Sequence, residues 1–102
     1  MRLIVLFDLP VKSVRQKKAY VAFRRFLLQD GYDMIQWSVY GRILNGHDDA
    51  EKHVARLESH LPPEGSVRSL QISERQYTAM RILVGEASFQ EISVTGQQML
   101  LF

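Results

Sequence analysis

The chain has 102 residues, of which 46% are apolar, which is typical of one folded domain rather than a disordered segment. It has no cysteine, so disulfides and thiolate metal sites are excluded. The net charge of +2 conceals an asymmetry, because residues 1–42 hold eight Lys/Arg and three Asp/Glu whereas residues 43–102 hold five and eight. A basic first half is typical of a protein that binds a polyanion, and an ordinary solvated surface is the alternative.

The first predicted elements are a buried strand and a long amphipathic helix. The apolar run 2–7 predicts a strand buried on both faces, which Pro10 ends because it cannot continue the ladder. A helix is predicted from Val14 to Asp30, with Ser13 as its N-cap and Gly31 at its C-terminal cap. Apolar residues recur along it at steps of three and four and form one stripe: Ala19, Tyr20, Phe23, Phe26 and Leu27.

The middle of the chain predicts strands followed by a second helix. Residues 32–44 are rich in aromatic and β-branched residues, and indicate one long bent strand or two strands that meet near residues 36–38. A second helix is predicted from about Asp48 to Leu61, where Pro62 stops it, with Val54, Leu57 and Leu61 on its inner face.

Two more strands are predicted after the second helix. Val67, Leu70 and Ile72 mark the first, and the run from Met80 to Val84 marks the second. The element order predicts an α+β fold, a ferredoxin-like βαββαβ sandwich with an extra C-terminal strand. We expect residues 1–85 to form this domain and residues 86–102 to form a C-terminal strand or arm.

The C-terminal arm is too apolar for a free terminus, and we expect it to pack on a sheet edge of a dimer mate or another partner. The alternative is that it packs on its own core. Its apolar side chains are Ile92, Val94, Met99, Leu100, Leu101 and Phe102.

Asp8 is the acid that most suggests chemistry. It follows the apolar run and stands at the carboxyl end of a predicted central strand, where ligands of open sheets tend to bind. A carboxylate there suits Mg²⁺, and two copies in a dimer, together with substrate phosphates, would complete a site. The alternative is that Asp8 caps a turn before Pro10.

Basic side chains are concentrated in and before the first helix and could contact phosphates without reading base sequence. Solvation of the outer helix face is the alternative. The candidates are Lys12, Arg15, Lys17, Lys18, Arg24 and Arg25.

Other sites are not supported. His53 and His60 would lie two helical turns apart, too far for one zinc ion, and no cysteine completes a site. The sequence has no strained-turn serine motif, no glycine-rich phosphate loop and no aromatic strand signature of RNA-recognition domains. No apolar run is long enough to span a membrane, and the N-terminus lacks the features of a signal peptide, so we expect a cytoplasmic protein.

Three segments carry a resemblance to a known family. Residues 3–10 (LIVLFDLP) resemble the first strand and acidic turn of the second family of CRISPR-associated proteins, small partners of the CRISPR integrase. Residues 18–27 (KAYVAFRRFL) are similar to the first helix of its type II members. Residues 30–40 (DGYDMIQWSVY) are the most specific segment, because their Gln-aromatic-Ser-Val-aromatic core is close to a family hallmark.

The resemblance implies a ferredoxin-like homodimer with one Asp from each protomer flanking a magnesium site at the interface, and Asp8 matches that position. It implies a metal-dependent endonuclease acting on single-stranded RNA or double-stranded DNA. It also implies a protein that bridges integrase dimers and binds spacer DNA before its integration into the CRISPR array. The chain departs from many members in having Phe7 where they have Tyr. A ferredoxin-like toxin ribonuclease or ligand-binding module outside CRISPR systems is the alternative.

Overall fold

The computed structural model describes residues 1–85, which form four strands and three helices. The strands are β1 (Arg2–Asp8), β2 (Asp33–Gln36), β3 (Val39–Ile43) and β4 (Ser66–Ile72). The helices are α1 (Val14–Gln29), α2 (His47–Glu58) and α3 (Glu74–Thr78).

The strands form one sheet in the order β2-β3-β1-β4, and every neighbouring pair is antiparallel. This order, with helices after β1 and β3, is the ferredoxin-like arrangement, so the predicted fold class is confirmed. The ambiguous stretch 32–44 forms two strands, joined by a turn at Trp37 and Ser38. The predicted extra strand and arm at 86–102 lie outside the described residues.

The core lies between the sheet and helices α1 and α2. Alternate residues of β1 point to opposite faces, and Leu3, Val5 and Phe7 belong to the core cluster. Leu3 and Val5 are fully buried because β1 is central in the sheet and core residues of α1 and α2 cover this face. The ring of Phe7 packs edge-on against Phe23 of α1, with the two centroids 5.3 Å apart.

Helix α1 begins and ends as the sequence predicts. Ser13 accepts a hydrogen bond from the Gln16 amide, and the Gln16 side chain accepts one from the Ser13 amide, which forms a capping box. Gly31 follows the helix in a left-handed conformation, with a φ of 89°. The predicted apolar stripe is also confirmed, because Phe23 and Leu27 are buried and Tyr20, Phe26 pack against the same core.

The predicted inner face of the second helix is partly wrong. α2 ends at Glu58, so Leu61 lies beyond it and is 48% exposed. The buried residues are Ala50, His53 and Leu57. The sequence predicts Leu61 on the inner face because it fits the helical spacing. His53 is not predicted there because a histidine is polar, and its burial depends on partners that the sequence does not identify.

The predicted strand from Met80 to Val84 is also wrong, since these residues lie in no strand. After β4 the chain turns into α3, because Ser73 and Gln76 form a second capping box that begins a helix. The apolar run that suggested a strand is instead exposed, with Val84 at 95%.

Helix α3 covers part of the sheet face opposite α1 and α2. Arg2, which is 1% exposed, alternates with the core residues of β1 and therefore lies on this second face. Its guanidinium carbon lies 3.7 Å from the centroid of the Tyr77 ring, and its Nε donates to Glu74 Oε1 at 2.9 Å. The rest of this face, which we call the open face, has no helix over it among residues 1–85. Within the same described range, no helix is long and apolar enough to cross a membrane.

Candidate nucleic-acid interface and strand-end acid

Asp8 is the last residue of the central strand and is exposed. It lies opposite Ser66 in the register of β1 and β4. Because side chains alternate along the strand, Asp8 points away from the face on which Phe7 packs. Phe7 is therefore a core residue of this chain, and its ring does not share a face with the carboxylate.

The backbone around Asp8 is held from both sides of β1. On the β3 side, the Phe7 amide donates to the Ser38 carbonyl at 3.1 Å, and Ser38 has a left-handed φ of 65°. On the β4 side, Gly65 has a φ of 101°, and a Cβ there would lie 2.7 Å from the Asp8 carbonyl oxygen. These close approaches fix the backbone at the end of the strand, from which the Asp8 side chain projects.

Asp8 alone does not make a metal site. Within residues 1–85, no group of three or more His, Asp, Glu or Cys side chains is placed to hold a metal ion. Mg²⁺ in phosphate-processing sites takes one or two carboxylates, substrate phosphate oxygens and waters. An exposed strand-end carboxylate fits one such ligand.

The six predicted basic residues are all exposed, but the structure separates them into different surfaces. Lys17, Lys18 and Arg25 surround a shallow groove on α1, with Val14, Val21 and Ala22 between them. We call this surface the basic groove. It presents three cations and an apolar floor, a composition suited to a nucleic-acid backbone and its sugars.

The other basic candidates face elsewhere. Arg24 donates through Nε to the Tyr40 hydroxyl at 2.9 Å, so it connects α1 to β3. Arg15 lines a cavity that also includes Leu9 and Pro10, next to Asp8 in the chain. Lys12 is exposed in the loop before α1. The apolar arm residues at 92–102 lie outside the described part of the chain.

Sequence reasoning missed the role of His53, which is structural. Its Nδ1 lies 2.8 Å from Asp30 Oδ2, and its Nε2 lies 3.3 Å from Asp49 Oδ1. Arg56 donates to the other Asp30 oxygen at 2.9 Å. The only sequence signal is the helical spacing of His53 with Ala50 and Leu57, which needs the fold to be recognised.

The two carboxylates of this cluster have lowered pKa values. Burial alone would raise the pKa of Asp30, but hydrogen bonds and charge from His53 and Arg56 outweigh it, so the pKa lies below 3.8. The pKa of Asp49 is lowered mainly by a hydrogen bond from the Asn45 backbone amide, and to a smaller extent by a hydrogen bond from the Lys52 ammonium. The cluster joins the end of α1 to α2.

The fold and the strand-end acid together define a class: a small ferredoxin-like protein with a carboxylate at the end of its central strand and a basic first helix. The family model described as CRISPR associated protein Cas2 matches residues 1–80. The chain therefore belongs to the Cas2 family.

Named relatives agree with this assignment. The chain is 59% identical over 102 residues to a protein of Acidovorax ebreus named CRISPR-associated endoribonuclease Cas2, with both chains fully covered. A protein of the same name from Ligilactobacillus salivarius is 44% identical over 86 residues, covering 84% of this chain and 85% of the relative. The crystal structure of Streptococcus pyogenes Cas2 at pH 6.5 has a TM-score of 0.64 and 15% identity, covers 82% of this chain and all of that one, and shows the shared fold.

Proposed function

We propose that this chain forms a homodimer that binds spacer DNA and bridges CRISPR integrase dimers during spacer acquisition. The observation that carries the proposal is the basic groove on the outer surface of α1, in a chain of the Cas2 family. Family membership also favours a CRISPR function over the toxin ribonuclease or ligand-binding module that the sequence left open.

The open face of the sheet supports the homodimer. Leu6, Ile43 and Leu70 lie on it and are 38%, 41% and 54% exposed. Neighbouring strands bring these side chains onto one surface, and an exposed apolar surface of this kind typically marks a protein interface. A second copy docked here would cover it and bring a second Asp8 to the same assembly.

The DNA-binding surface is tested by the salt dependence of affinity. Replacing the three basic-groove cations with alanine removes up to three phosphate contacts, so the slope of log K against log salt should flatten by roughly three. The binding of a labelled spacer duplex is measured by anisotropy at several salt concentrations. A control variant replaces three exposed basic residues of the second half with alanine: Lys52, Arg75 and Arg81.

Equal slopes for the wild type and the groove variant would refute the groove as the DNA surface. The sedimentation profile of each variant checks that the dimer is intact.

For the C-terminal arm, truncation after Ser88 should weaken dimerisation or integrase capture. An unchanged sedimentation profile and unchanged capture would contradict the role proposed for residues 92–102.

A second function of the same dimer is metal-dependent endonuclease activity on single-stranded RNA or double-stranded DNA. It is favoured by the position of Asp8 and by the relatives named endoribonuclease. Two copies of Asp8 would hold Mg²⁺, which supplies a Lewis acid and an activated water when bound. The chain itself contributes the position of the carboxylate, through Gly65 and Ser38, and the nearby cations that bind phosphates.

Endonuclease activity is tested with Asp8→Asn, which keeps the side-chain size and removes the charge. We expect cleavage of labelled single-stranded RNA to fall at least about a hundredfold and to stop when a chelator is added. Asp48→Asn, at an exposed position of α2, is the matched control and should cleave as the wild type does. Cleavage that survives the chelator or the loss of the Asp8 charge would exclude this function.

A further inference from the structure

A cavity of about 170 Å³ lies between the start of α1 and the turn that precedes β4. One wall consists of Arg15, Gln16, Ala19 and Tyr20 of α1, and the opposite wall consists of residues 62–64. Its floor is formed by Leu9 and Pro10, the two residues that follow Asp8. We call it the α1 cavity.

The size and lining of the α1 cavity suit one flat heterocycle. An apolar cavity of roughly 150 Å³ accepts benzene, so this volume has room for a single six-membered ring with small substituents. Flat apolar surfaces are provided by Tyr20 and by three proline rings, and aromatic and apolar side chains hold unstacked bases in nucleic-acid-binding proteins. The prolines are Pro10, Pro62 and Pro63.

Polar groups at the rim of the α1 cavity limit what the heterocycle can be. The side-chain amide nitrogen of Gln16 donates to Glu64 Oε2 at 2.9 Å, which fixes a carboxylate beside the cavity. An ionised carboxylate accepts several hydrogen bonds and pairs with the amino group of cytosine. Arg15, which is exposed, supplies a positive charge where the phosphate of the same nucleotide would lie.

We propose that the α1 cavity binds one unstacked, amino-bearing base, with cytosine as the best fit, of a single-stranded nucleic acid. This inference rests on the nucleic-acid binding proposed above and adds a base contact to it. A base held here places its phosphate near Arg15 and the flanking nucleotide near the end of β1. The cavity thereby selects single strands, because a paired base stays in its stack.

The test fills the cavity without changing any charge. Ala19→Leu extends a methyl group that lines the cavity, and leucine is a good helix former. Ala55→Leu, the same change at an exposed position of α2, is the matched control. Each protein is titrated with a labelled oligo-cytidine, the same oligomer with one central abasic site, and oligo-uridine.

For the wild type and Ala55→Leu, we expect the abasic site to weaken binding about tenfold, the size of one base-stacking contact. Ala19→Leu should bind the intact oligo-cytidine about tenfold more weakly and should no longer distinguish it from the abasic oligomer. Oligo-uridine should bind the wild type less tightly than oligo-cytidine.

If Ala19→Leu and Ala55→Leu both bind intact oligo-cytidine with wild-type affinity, the base site is refuted and the basic groove is the whole interface. Wild-type protein that binds the spacer duplex but no single-stranded oligomer would refute the base site alone, whereas protein that binds neither would refute nucleic-acid binding itself. Circular dichroism and sedimentation check that both variants fold and associate like the wild type, so that a loss confined to Ala19→Leu can be assigned to the cavity.

Discussion

Asp30→Ala should destabilise the fold strongly, because Asp30 holds two helices together. Its two carboxylate oxygens contact His53 and Arg56 of α2 at 2.8 Å and 2.9 Å, from the C-cap of α1. The His53 side chain is almost fully buried, so the variant would leave a polar ring nitrogen without its partner. A buried polar group that loses its partner carries the full cost of its desolvation.

The magnitude follows from the exposure of the two partners. A hydrogen bond from a buried group to a charge is worth about 1.5–3 kcal/mol. Arg56 is 51% exposed, so its ion pair adds at most about 1 kcal/mol. The free energy of unfolding should therefore fall by about 2–4 kcal/mol, which lowers the melting temperature by roughly 10 °C or more.

Urea unfolding at several pH values measures this loss. The pKa of Asp30 is lowered in the folded state, so its contribution is complete above about pH 4 and is lost as pH falls through the folded pKa. The difference between the wild type and Asp30→Ala should be full at pH 7 and should narrow towards pH 3. Asp33→Ala, at an exposed position, is the control and should stay within about 0.5 kcal/mol. If Asp30→Ala lowers the free energy of unfolding by no more than that, or by an amount independent of pH, Asp30 does not join the two helices as its contacts indicate.

Three further substitutions test the fold by urea unfolding. Leu27→Ala should lower the free energy of unfolding by about 2–5 kcal/mol because Leu27 is fully buried. Leu28→Ala, at the neighbouring position that is 43% exposed, should lower it far less, and equal losses for the two variants would contradict the core assignment. Glu74→Ala should cost about 1–3 kcal/mol, because it removes the carboxylate that pairs with the buried arginine of β1, and a neutral result would show that the Tyr77 ring suffices. Gly65→Ala should cost at least about 1–3 kcal/mol, because its φ is positive and a Cβ would meet the backbone of β1; full stability would show that the loop relaxes freely.

Most of the fold could be predicted because local signals and tertiary structure agree. The apolar run of β1, the capping residue Ser13 and the stripe through Phe23 and Leu27 each predict the element that forms. The failures occur where apolar residues fit a local pattern but lie outside the element that forms. The run from Met80 to Val84 follows α3 and joins no strand, and α2 ends before Leu61.

The candidate site could be predicted only in part. The position of Asp8 at a strand end follows from the sequence, because the strand is long, apolar and ended by proline. The division of the basic residues among surfaces could not be predicted, since it depends on contacts such as the one from Arg24 to Tyr40. The α1 cavity also required the fold, because its walls come from segments more than forty residues apart in the chain.

We propose that this chain acts in spacer acquisition by binding DNA and bridging the integrase, and we expect this role not to need the Asp8 carboxylate. The direct test is integration of a spacer into a supercoiled target by the cognate integrase, with wild-type protein, Asp8→Ala or the basic-groove variant. We expect Asp8→Ala to support integration as well as the wild type does and the groove variant to fail. If an Asp8→Ala protein that still dimerises and binds the integrase does not support integration, the strand-end acid is part of the mechanism and a role without it is excluded.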